Sequence, residues 1–99
     1  MTRKMKPIHP GEILMEEFLE PLGITKYRLA KDIKVTASKV GEIVNGTRSI
    51  TPETALRLAR YFGTSAVFWI NLQRHFDLEV ALEEHGKNIE KEVKQLEVA

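Results

Sequence analysis

The chain has 99 residues, 42% of them hydrophobic and 29% charged, which suits one compact domain and leaves too little chain for two ordinary ones. It has no cysteine, which excludes a disulfide framework or a zinc–thiolate site, and no apolar run approaches the roughly 20 residues of a membrane span. Fifteen basic against fourteen acidic side chains leave a net charge of only +1, so any affinity for nucleic acid depends on where the charges sit.

Residues 1–9 read as a basic tail carrying Arg3, Lys4 and Lys6: a frayed end, or an arm for phosphate or the minor groove. The tail lacks the apolar core of a signal peptide, so the cytoplasm is the expected compartment. A first helix is expected from His9, with Pro10 suited to the opening position and Glu12 to the positive end of the helix dipole. Ile13, Leu14, Phe18 and Leu22 predict its inward stripe. Pro21 lacks an N–H and predicts an end or kink near it, and Gly23 finishes the connection. Glu12, Glu16, Glu17 and Glu20 make this helix acidic.

Ile24 to Gly46 predicts two short helices around a tight turn. Thr25 suits a cap for the first, whose buried face is Leu29, Ala30 and Ile33. Lys34-Val35 makes the turn, with Val35 directed inward. Lys34 stands where a left-handed backbone is needed, at a cost of roughly 1 kcal/mol for a residue with a side chain. Thr36 suits a cap for the second helix, whose inward face is Val40, Ile43 and Val44. Asn45-Gly46 stops that helix, since both residue types tolerate the left-handed conformation. Its outward residues Ala37, Ser38, Lys39, Gly41 and Glu42 are small or polar, as a helix entering a groove requires. This is the helix-turn-helix pattern, with the second helix as the reader. Ile24 to Ile50 holds six cations against two acids, a net +4, where phosphate contacts need them.

Thr51-Pro52-Glu53 is a clear helix start, and Ala55, Leu58, Ala59 and Phe62 give the buried side before Gly63 stops it. Ser65, or alternatively Thr64, caps a fifth helix with Phe68, Trp69, Leu72 and Phe76 at helical spacing. Gly86-Lys87-Asn88 is the expected break. Beyond it Ile89, Val93 and Leu96 make a thin stripe on a segment too short to be stable alone. Phe76 to Ala99 holds seven acids against three lysines, a net −4.

The motif and its flanks resemble a known family. Ile24 to Gly46 is similar to the helix-turn-helix of the Cro and lambda-repressor (XRE-like) class. His9-Pro10-Gly11-Glu12, Glu20-Pro21-Leu22-Gly23, Ser49-Ile50-Thr51, Leu56-Arg57-Leu58-Ala59, Phe62-Gly63-Thr64-Ser65, Phe68-Trp69 and Asn71-Leu72-Gln73, in that order, resemble the HigA/VapI antitoxins over roughly Ile8 to Ala81. The resemblance implies an all-α, five-helix lambda-repressor-like domain over residues 10–85, with a helical tail over 86–99.

It also implies roles. Lys26, Thr36, Asn45 and Arg48 match positions that hold phosphate. Ala37, Ser38 and Glu42 match base-reading positions, with Lys39 beside them. Their chemistry agrees: the serine hydroxyl donates or accepts, the lysine donates to guanine, and a methyl touches thymine. Glu42 opposes phosphate unless it accepts from a cytosine amino group or pairs with Lys39. Phe68, Trp69, Leu72, Phe76 and Leu78 exceed what one short helix needs for its own packing and are the expected dimer contact. The expected partners are double-stranded DNA with an inverted-repeat operator, a second copy of the chain and a toxin protein of the RelE-like ribonuclease kind, bound through the acidic C-terminal end or the acidic first helix.

No cofactor, metal or membrane partner is expected. His9, His75 and His85 are scattered, and neither a glycine-rich phosphate loop nor a cysteine nucleophile is present. The alternatives to an antitoxin are a stand-alone Cro-like regulator and a protein-interaction module that has lost DNA binding.

Overall fold

The regular α-helix widens just before Pro21 and the whole helix ends one residue after it, in keeping with the end or kink expected there. In the computed structural model, which describes residues 6–98, the chain forms α1 (Pro10–Ile13), a π-helical turn (Leu14–Leu19) and α2 (Glu20–Leu22) without interruption. The Glu20 N–H reaches back five residues to the Met15 carbonyl. A proline ring clashes with the carbonyl four residues before it, and a wider turn with one extra residue relieves that clash. The added residue also rotates the inward face. Leu19 is 1% exposed and takes the place expected of Leu22, which is 59% exposed, while Leu14 stays buried. Gly23 then closes the arm at φ 66°.

The remaining starts follow from local chemistry. The hydroxyls of Thr25, Thr36, Thr51 and Ser65 each accept from the third N–H along, capping α3 (Lys26–Ile33), α4 (Ala37–Val44), α5 (Pro52–Phe62) and α6 (Ala66–Glu92). Lys34 adopts the left-handed conformation the turn demands, at φ 64°. Asn45 departs from expectation: it stays right-handed at φ −77°, and Gly46 alone supplies the positive φ, at 84°.

These elements enclose one core. α3 packs on α4 and α5, α5 on α6, and α1 on both α4 and α6. Leu29, Val40, Ile43, Leu58 and Trp69 are buried at its centre. Arg57 tightens the α3–α5 contact by donating to the Ile33 carbonyl at 2.9 Å, which satisfies a free group at the end of α3. The Tyr61 hydroxyl donates to Asp32 nearby, and this bond holds the Asp32 carboxyl below its usual range.

The break expected at Gly86-Lys87-Asn88 is absent, and α6 runs on to Glu92, so a division at residue 85 would fall inside a helix. Gly86 has no positive φ. Its helix penalty of about 1 kcal/mol is too small to stop a helix without a proline or a capping turn. Val93 is extended and ends it, so of the stripe Ile89, Val93 and Leu96 only Ile89 lies on the helix. The arm expected from Arg3 and Lys4 lies outside the described residues.

Candidate nucleic-acid interface

Two short helices can present a reading surface only if their angle is held, and here it is held from both ends. At the turn, the Val35 N–H donates to the Ala30 carbonyl at 3.0 Å and the Val35 side chain packs on the core. At the far end of α4, Gly11 lies against the last turn: a Cβ built on it would stand 1.9 Å from the Ile43 carbonyl oxygen. Only glycine permits this approach of two backbones.

With its inner face buried, α4 turns Ala37 and Ser38 to solvent, with Lys39, Gly41 and Glu42 half-buried beside them. Lys26 is the first residue of α3 and is exposed, so its ammonium and the positive end of that helix dipole reinforce each other for an anion. Thr36 is exposed, but its oxygen already accepts from the Lys39 N–H at 3.0 Å; its hydroxyl proton remains for a phosphate. Asn45 and Arg48 are exposed at the other end of α4.

Glu42 has a partner, and it is not Lys39. Arg48 donates from Nε to the Glu42 carboxylate at 2.6 Å. Lys39 forms no ion pair among the described residues.

Two residues that seat this surface were not legible in the sequence as functional. His9 caps α1 by accepting from the Gly11 N–H at 2.9 Å, lies edge-on to Phe76 of α6 at 4.8 Å between ring centroids, and borders Gly46. Burial pushes its pKa down, while Asp77, Glu12 and a hydrogen bond to the Arg48 backbone pull it back up. Gln73, buried on α6, accepts from the Ile50 N–H at 2.8 Å and donates to Asp77 at 3.0 Å. Both side chains therefore fasten the loop after the reader to the rest of the fold. The available signal for Gln73 was an amide four residues after Trp69 on an apolar stripe, where a buried polar group needs a partner.

Comparison with known proteins agrees with this geometry. Residues 15–69 match the family model described as Helix-turn-helix. Virulence-associated protein I of Dichelobacter nodosus is 51% identical over 78 residues, covering 79% of this chain and 72% of that protein. Antitoxin HigA-1 of Vibrio cholerae is 40% identical over 75 residues, covering 76% and 70%. The chain belongs to the HigA/VapI group of XRE helix-turn-helix proteins. The solved structure of Pseudomonas aeruginosa antitoxin HigA with higBA promoter superposes on it with a TM-score of 0.90 at 48% identity, covering 92% of this chain and 99% of that one. This family consists of DNA-binding regulators and is not an enzyme family.

Within this HigA/VapI-type fold, the five residues expected at a dimer contact separate. Trp69 has no exposed surface: its ring packs on Phe18 and Phe68 at 4.9 and 5.0 Å and its N–H donates to Thr64 at 2.8 Å. It is core, because a large ring at the first turn of α6 meets the arm that the π-helical turn swings towards it. Leu72 and Phe76 are half-buried. Phe68 is at the border of exposure and Leu78 is 61% exposed.

The two acidic candidates for a partner surface come together instead. Glu12 from α1 and Glu83 and Glu84 from α6 line one cleft of about 530 Å³ together with a single cation, Lys6, and with the apolar residues Pro7, Ile8, Phe76 and Val80. Among the described residues no helix is long and apolar enough to cross a membrane.

Proposed function

We propose that this chain is a DNA-binding antitoxin that represses its own promoter as a two-fold dimer and neutralises a RelE-like ribonuclease toxin in the cytoplasm. The observation that carries the DNA part is the presentation of α4, its small and polar face outward, with Lys26 before it and Arg48 after it. Ala37, Ser38 and Lys39 read base edges, while Lys26, Thr36, Asn45 and Arg48 hold phosphate, which fixes register without reading sequence. The relative solved with its promoter supports this reading.

A single reader helix spans only a few base pairs, so specificity calls for two of them about 34 Å apart on an inverted repeat. The exposed apolar face of α6 supports such a dimer: Phe68 and Leu78 are followed by Leu82 and Ile89 on the same side. The toxin part rests on family membership and on charge. A ribonuclease that binds RNA is expected to carry a basic surface, and the cleft formed by Glu12, Glu83 and Glu84 is acidic with an apolar wall that suits the stem of an arginine or lysine.

Co-expression with the neighbouring reading frame tests the whole reading. The expected result is rescue of growth from that frame's product, a complex on affinity capture, and a gel shift on the promoter duplex of this gene but not on a scrambled duplex. A promoter shift without any capture would leave a stand-alone regulator. Capture without a shift would leave an interaction module.

A further inference from the structure

An acid on the groove-facing helix should weaken DNA binding, yet Glu42 organises the loop that carries a phosphate-binding residue. Its backbone carbonyl accepts twice from Thr47, from the N–H at 2.9 Å and from the hydroxyl at 3.2 Å. Its carboxylate accepts from Arg48 Nε at 2.6 Å. That bond uses one edge of the guanidinium. The two terminal nitrogens of Arg48 have no protein partner among the described residues, and its side chain is 48% exposed.

We propose that Glu42 is a positioning residue, which grips Arg48 by Nε and turns its two terminal nitrogens, four N–H donors in a plane, towards a single phosphate. A guanidinium offers five donors in a rigid fork, so occupying one edge leaves a bidentate pair aimed the other way. Glu42 then contributes to affinity through Arg48 and reads no base. This rests on the DNA reading above and takes Glu42 out of the base-reading positions that the family resemblance implies.

The competing expectation from charge alone has the opposite sign. Removing an acid from a surface next to phosphates strengthens binding. If Glu42 positions Arg48, Glu42→Ala instead weakens binding by about two- to fivefold, the range expected for an exposed ion pair. The loss falls equally on the promoter duplex and on random duplex, and the salt slope becomes shallower by about one, as for a lost phosphate contact. Glu42→Gln keeps an acceptor for Nε and restores most of the affinity. In the Arg48→Ala background, Glu42→Ala causes no loss. None of these variants touches the two Thr47 bonds, which Glu42 makes through its backbone.

Gel-shift titrations of the four variants on both duplexes at two salt concentrations are the experiment. Tighter binding by Glu42→Ala, or a loss confined to the promoter duplex, overturns the positioning role while leaving the DNA reading in place. An equal loss with and without Arg48 also overturns it. Failure of the wild-type chain to shift either duplex overturns both.

Discussion

The motif region and the far half of α6 are both helical and both carry apolar residues, but they solve burial differently. In the motif, α3 and α4 are capped at their starts, and Leu29, Ala30, Ile33, Val40 and Ile43 are all buried within one copy of the chain. On α6, Leu78, Leu82 and Ile89 are 61%, 60% and 53% exposed, although the helix continues past them. A helix held by a core tolerates little change at its contacts. A helix that projects from the core is indifferent to substitution in the monomer and sensitive only where a partner covers it.

Two glycine substitutions should divide these regions most sharply. Gly11→Ala forces a methyl into the α4 backbone, 1.9 Å from the Ile43 oxygen, and neither backbone has room to yield. It is expected to cost about 3 kcal/mol in urea unfolding. At Gly86 an added Cβ meets only the end of the Leu82 side chain, at 3.7 Å. Gly86→Ala should stabilise by about 0.5–1 kcal/mol, the helix propensity difference. Equal effects at the two sites would break the comparison.

Within the motif, Lys39→Ala should leave stability unchanged and weaken promoter binding by about 1–3 kcal/mol if the lysine reads a base. Lys26→Ala should weaken promoter and random DNA alike and flatten the salt dependence. Gel shifts at two salt concentrations tell these apart, and equal losses on both duplexes for Lys39→Ala would make it a phosphate contact.

On the projecting helix, Leu82→Glu should change the unfolding free energy at low concentration by no more than about 0.5 kcal/mol while abolishing a dimer seen by sedimentation at micromolar concentration. A wild-type chain that sediments only as monomer, with and without DNA, would remove the reason for that exposed face.

The smallest effect concerns pH and returns to the packed region. Burial lowers the pKa of His9 from its ordinary value of 6.5, so between the folded value and 6.5 the unfolded chain binds more protons than the folded one. Its contribution to stability is complete above 6.5 and is lost as pH falls through that value towards the folded pKa. Urea midpoints at pH 7.5 and pH 5.5 should therefore fall with pH, and His9→Asn, which keeps a capping acceptor, should show a shallower fall. An unchanged slope would mean that His9 is charged in the fold.

Caps and the turn at Lys34 were legible because each depends on a few neighbouring residues. Thr25, Thr36, Thr51 and Ser65 cap the helices they precede, and Lys34 takes the left-handed turn position that glycine would fill more cheaply. The π-helical turn was not legible, since Pro21 states only that a regular helix cannot pass. Whether the chain stops, bends or widens depends on what the arm packs against. The same holds for Glu42: that an acid on a reading face needs a partner follows from its charge, but Lys39 and Arg48 were both within reach along the chain.

By itself, then, the sequence determined where helices begin, which residue types face outward on α4 and how charge divides between the motif and the C-terminal end, because these follow from propensity, periodicity and formal charge. The tertiary structure decided that Leu19 and not Leu22 points inward, that Trp69 is wholly enclosed, that His9 and Gln73 secure the loop behind the reader, and that Glu12 meets Glu83 and Glu84 across one cleft. Those outcomes require elements more than 20 residues apart to be brought together, and the free energy that selects among them comes from packing and desolvation, which no local pattern contains.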